Sequence, residues 1–174
     1  MFRKLERIRA GFERLMEGVV ILLMVVLALE VTVGTVFREA GHALAWYDEV
    51  ASVLLAWLTY YGSALAALKR AHIGFPGLVN SLPRRLRIAT TLVAEAFVFA
   101  FFALLAWVGW SVLGVLATDT LVTLPEVSVQ YTQSVIPIGA VLFILAEALS
   151  LPRVLDEARR GESGSHAGTM EATH

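Results

Sequence analysis

The chain has no cysteine, which excludes disulfides, thiolate metal ligands and thiol nucleophiles. Charge is also scarce: 17% of residues are charged against 57% hydrophobic, with a mean hydropathy of +0.71. A soluble domain of this length carries more charge, so the composition points to an integral membrane protein. Imidazole is sparse too. His42, His72, His166 and His174 lie in connections or the tail without ligand-like spacing, so interhelical metal or haem binding lacks its usual ligands. No P-loop, Gly-rich dinucleotide turn, HExxH or nucleophile elbow occurs, and no catalytic site, cofactor or metal is expected. The most telling absence is positional. No Lys or Arg interrupts any of the four long apolar segments.

Those segments read as about Leu15–Phe37, Tyr47–Leu68, Ile88–Ala117 and Tyr131–Leu151. Each meets or exceeds the ~20 residues that cross ~30 Å of hydrocarbon. The third, at 1.5 Å per residue, must tilt or extend beyond the core. Around them, Lys and Arg number five before the first segment, one in the first connection, five in the second, none in the third and three after the fourth. This alternation predicts an all-α membrane protein with both termini in the cytoplasm. The first apolar run is too long for a signal-peptide core and reads as a retained span. The basic clusters read as orientation and headgroup contacts with anionic lipid, not as a nucleic-acid surface.

Three regions are expected. Residues 1–14 form a short amphipathic helix on the cytoplasmic face, because Phe2, Leu5, Ile8, Phe12 and Leu15 recur at helical spacing among basic residues. Residues 15–153 form the four-helix membrane body. Residues 154–174 form a largely disordered cytoplasmic tail, small and polar from Gly161 onward. The connection after the second span is amphipathic, but Pro76, Gly77 and Pro83 break it.

In the second span, Ser52, Ala56, Thr59, Ser63 and Ala66 make one stripe of small side chains, a candidate helix-packing face either within the chain or toward another subunit. Asp48 and Glu49 open that span, where the helix dipole favours carboxylates. Trp46, Tyr47 and Tyr131 fit an outer aromatic belt, while mid-span Trp57 favours burial against protein. Pro137 and Gly139 are expected to kink or open the start of the fourth span. Glu30, Glu95 and Glu147 lie inside spans, where a carboxylate needs a partner, a watery cavity or a proton. They are candidate structural carboxylates. The rival reading makes them the relay of an autonomous proton or ion channel. A membrane enzyme or redox anchor is a weaker rival, given the missing His pairs and Cys.

The order of several short motifs resembles the small membrane subunit of TRAP transporters, the DctQ-like or Q subunit. The likeness rests on Trp46-Tyr47-Asp48-Glu49, then Trp57, Gly62 and Ala64, then Lys69-Arg70-Ala71-His72-Ile73-Gly74. Leu82-Pro83 and Ile136-Pro137-Ile138-Gly139 complete it, and Pro76 departs from the pattern. The resemblance covers about Leu15 to Arg153. It implies a non-catalytic scaffold beside a large multi-spanning elevator subunit that carries the substrate and sodium sites. It also implies a periplasmic solute-binding protein delivering an organic acid, uptake driven by an ion gradient, and location in a bacterial or archaeal inner membrane. Trp46, Asp48 and Glu49 then become candidates for outer docking or its support.

Overall fold

The computed structural model describes residues 2–69 and 81–160, apart from the side chains of residues 2–5, 157 and 160. The expected break at Pro76 and Gly77, the His72–Gly74 motif and the tail from Gly161 lie outside the described residues. Among the described residues every regular element is helical, and four helices are long and apolar enough to cross a membrane.

Helix α1 runs unbroken through Phe2–Glu39. At ~1.5 Å per residue it is far longer than a ~30 Å hydrocarbon core, so it must tilt or extend beyond that core. Residues 2–14 run into the spanning helix without a break. Their apolar stripe is split: Phe12 turns toward the core, whereas Ile8 and Leu15 are exposed. The helix stops where Gly41 adopts φ 80°. Gly41 N–H donates to the Arg38 carbonyl (3.1 Å) and His42 N–H to the Phe37 carbonyl (2.9 Å). This paired C-terminal closure requires the left-handed residue that glycine supplies most readily.

Helix α2 spans Tyr47–Lys69, with Asp48 and Glu49 in its first turn. Helix α3 spans Arg84–Val115 behind Pro83, whose fixed φ of −59° leads into it, and one 3-10 turn at Leu116–Thr118 finishes it. The connection from Asp119 to Ser128 closes on itself. Leu121 N–H donates to the Val127 carbonyl (2.9 Å), and Val129 N–H to the Asp119 carbonyl (2.9 Å).

The fourth span is stepped. Short α4, Val129–Gln133, is capped by the Ser128 hydroxyl, and α5 continues over Val135–Arg160. The step at Ser134 lies just upstream of Pro137, which has no N–H for the carbonyl four residues back and crowds it sterically. Pro152, by contrast, does not end the helix. The helix runs on past the expected end of the span near Leu151, and residues 154–160 belong to α5. Tertiary contacts hold that last stretch. Val154 and Ala158 are buried, and Arg87 Nε donates to the Ala158 carbonyl at 2.6 Å.

The spans pack in the order α1–α2–α5–α3, with α1 touching α5 only briefly. Helix α5 is the best buried, while the edge helices α1 and α3 leave long apolar faces uncovered. A core of Met16, Ala67, Leu68, Phe143 and Ala146 joins the row, and the Phe102 and Phe143 rings stack with centroids 3.7 Å apart. Lipid is as apolar as leucine, so close contact must contribute much of the association between spans.

Glycine provides that contact at three seams. A Cβ on Gly34 would lie 2.0–2.6 Å from the Tyr47 ring, joining α1 to α2. One on Gly139 would lie 2.8 Å from Tyr60 Cβ, joining α5 to α2, and one on Gly109 would press on Pro137 at 3.1 Å, joining α3 to α5.

Candidate assembly and docking surface

The helices alternate in direction, so the structure has a terminal end, near the chain termini, and a loop end. At the loop end, Glu49 does more than complement a helix dipole. Its Oε1 accepts the Val122 N–H at 2.9 Å, and its Oε2 accepts the Thr123 N–H at 2.8 Å and the Thr123 hydroxyl. One carboxylate thus fixes the tip of the 119–128 connection from a separate helix. Sequence alone hid this, because Glu49 and Thr123 are 74 positions apart with no signature in either neighbourhood.

Trp46 and Asp48, beside it, are exposed and make no comparable tie. Of the three candidate docking residues, one braces a loop and two face outward.

Further along α2, Trp57 is half-buried. Its indole N–H donates to the Thr132 carbonyl at 2.9 Å, where the step between α4 and α5 interrupts the helical ladder. Broken backbone at membrane depth needs such a donor. The mid-span placement hinted at burial; the carbonyl partner could not be read from it.

The small-residue stripe has a different place. Ser52, Ala56 and Thr59 are exposed, and Ser63 and Ala66 are half-buried. Contacts within the chain use the neighbouring face of α2, where Ala64, Ala67 and Leu68 are buried. The stripe hydroxyls bond within their own helix: Ser52 to the Glu49 carbonyl (2.7 Å), Thr59 to Leu55 (2.8 Å) and Ser63 to Tyr60 (2.8 Å). That leaves their surface smooth.

The three carboxylates are spread over α1, α3 and α5. Glu30 sits nearer the loop end, Glu95 and Glu147 nearer the terminal end, and the row places α1 and α3 on opposite edges. Both Glu30 oxygens are sealed from solvent without a hydrogen-bond partner among the described residues.

The terminal end is tied by charge. Arg9 on α1 donates to the Leu68 carbonyl, in the last turn of α2, and Arg87 on α3 caps Ala158 near the end of α5. Lys69 meets Glu17 at 2.5 Å, and Arg153 meets Glu6 at 3.0 Å. These cations suit helix C-termini, where carbonyls lack partners.

Several of the quoted motif residues that the structure describes fall on contacts. Tyr47 seats on Gly34, Glu49 holds the loop, Trp57 serves the helix step, Ala64 is fully buried, and Pro137 and Gly139 face Gly109 and Tyr60. Gly62 is different, with open space around it. No curated protein matches the chain. The family described as "Tripartite ATP-independent periplasmic transporters, DctQ component" matches residues 23–157, which covers the second half of the first spanning helix and the whole of the other three spans. With that match over most of its length, the chain belongs to the DctQ family, a multi-pass inner-membrane component of tripartite transporters that work with a large membrane subunit and a binding protein.

Proposed function

We propose that the chain is the stationary scaffold beside a large elevator subunit, in ion-gradient-driven uptake of an organic acid delivered by a periplasmic solute-binding protein. The observation that carries this reading is the shape of the row. Four spans side by side give area without enclosing a path, and Glu30 on α1 lies at the opposite edge of the row from Glu95 on α3. Edge faces as apolar as those of α1 and α3 suit lipid and a partner subunit. The exposed small stripe of Ser52, Ala56 and Thr59 suits close approach by a helix of that subunit. The role involves no catalysis by this chain.

By the charge alternation, the terminal end is cytoplasmic and the loop end is periplasmic. The first turns of α1, with Ile8 and Leu15 outward among basic side chains, then occupy the cytoplasmic headgroup layer. The natural absence of cysteine makes orientation simple to test. Glu126→Cys should react with a membrane-impermeant maleimide in intact cells, and Arg14→Cys only after permeabilisation. The opposite pattern reverses the topology.

The functional test is co-expression with the large subunit, followed by copurification and solute uptake in proteoliposomes with and without this chain. Uptake of the same rate without it would contradict the scaffold role. Current through this chain reconstituted alone would instead support the channel reading.

A further inference from the structure

We infer that the outward face of α1 is a seam for a second copy of this chain, so that two rows join edge to edge through paired α1 helices. The inference requires only that every copy crosses the membrane in the same direction. It stands or falls apart from the transport role.

Every seventh residue of α1 from Ile8 is a large aliphatic: Ile8, Leu15, Leu22, Leu29 and Val36, each between 60% and 62% exposed. On a straight α-helix such a repeat drifts around the axis by about 20° per step. The exposure nevertheless stays constant, so this line is left open along the whole helix. Three residues after each of the first four stand Gly11, Gly18, Val25 and Thr32, all exposed. A Cβ on either glycine would meet nothing within 4 Å, and the Thr32 hydroxyl is spent on the Ala28 carbonyl of its own helix (2.7 Å). The face is a line of knobs beside a line of hollows, at the seven-residue period of a left-handed helix pair. Small residues there let a second backbone approach closely. Fluid lipid chains require an apolar surface but no period.

Direction and charge select the occupant. Two copies inserted in the same direction can pair α1 with α1 only in parallel, about a two-fold axis. Each knob then lies beside its own counterpart, so the second copy brings a matching repeat in register. Even in the charge-rich stretch 6–17, no charged residue stands on either line. Arg7 and Arg14 flank the lines, and parallel pairing sets them beside Phe12 and Val19 of the second copy, with no like charges opposed. The row leaves room for this contact. Helix α1 is an edge that packs on α2 and touches α5 only briefly, so the α2 stripe and the α3 edge stay available to the large subunit and lipid.

The test uses the complete chain in native membranes, expressed alone and with the large subunit. Because the chain has no cysteine, single substitutions can be oxidised with copper phenanthroline and disulfide-linked pairs counted on gels. Leu22→Cys, Val25→Cys and Leu29→Cys should link several times more than Met24→Cys and Val31→Cys, which are exposed and interleaved with them but lie off the seam. Gly18→Leu fills a hollow without meeting the chain itself, and should lower the Leu22→Cys yield about tenfold while helix content is unchanged. Low yield at all five positions means that lipid covers the seam, and equal yield at all five means random collision. Either result overturns the inference. Linkage that forms for the chain alone and vanishes with the large subunit also overturns it, and makes that subunit the occupant. So does a Leu22→Cys yield that Gly18→Leu leaves unchanged.

Discussion

The two ends of the row are held by different chemistry. At the terminal end, long cationic side chains reach across to helix carbonyls and carboxylates: Arg9 to Leu68, Arg87 to Ala158, Lys69 to Glu17 and Arg153 to Glu6. At the loop end, short-range fit dominates: a ring laid on bare glycine, a carboxylate on two backbone N–H groups, an indole on a carbonyl. The first kind fastens helix ends while tolerating small displacements. The second kind fixes a surface. A scaffold that braces on one side and presents a defined shape on the other needs both.

The comparison breaks most sharply at Gly34. Gly34→Ala places a methyl inside the Tyr47 ring position, so the ring must leave its seat or α1 must move. Overpacking of this kind costs about 1–3 kcal/mol. Gly62→Ala is the control: it meets nothing within 4 Å and should gain about 0.5–1 kcal/mol from lower unfolded-state entropy. Thermal unfolding in detergent should therefore move in opposite directions for two identical substitutions. Equal shifts would remove the case for glycine-seated contacts at the loop end.

At the terminal end, Arg87→Ala removes a charge-assisted bond that is partly buried and leaves the Ala158 carbonyl without that donor. Such bonds contribute about 1.5–3 kcal/mol, reduced here by partial exposure to about 1–2. The last turns of α5, beyond Pro152, should fray first. Amide hydrogen exchange of residues 154–160 should rise while that of 121–123 stays unchanged. Acceleration at both ends would show that they are not independent.

Trp57→Phe keeps the aromatic body and deletes the donor to Thr132, a loss of about 1 kcal/mol for one neutral hydrogen bond. Exchange should rise in α4 and across the Ser134 step. An unchanged step would mean that Pro137 alone maintains it.

The legible part of this protein was its long-range order. Apolar run length located all four spans, and charge placement gave a testable orientation. Pro137 announced a disturbed helix start, since a missing N–H is a local fact. That the helix runs on past Leu151 was not legible for the complementary reason: Pro152 is a local breaker, but Arg87, Val154 and Ala158 override it from tertiary contacts that no window of sequence contains. The same limit explains Glu49. Its position at a helix start was visible, whereas its grip on Val122 and Thr123 depended on where α3 ends. The stripe on α2 was visible as a pattern, yet periodicity cannot tell an inward face from an outward one when both are apolar.

The smallest effect is expected at Glu30, between the two ends. Its oxygens are enclosed and unpartnered among the described residues, so a charge there gains no hydrogen bond from them. Glu30→Gln preserves shape and removes the possibility of charge, and replacing an uncompensated carboxylate by a neutral isostere is close to neutral or stabilising. Uptake and copurification with the large subunit should both match the wild type. Loss of uptake with assembly intact would make Glu30 a working proton or cation ligand. That result would turn the quietest position in the row into its most active one, and would transfer part of the transport chemistry from the large subunit to this chain.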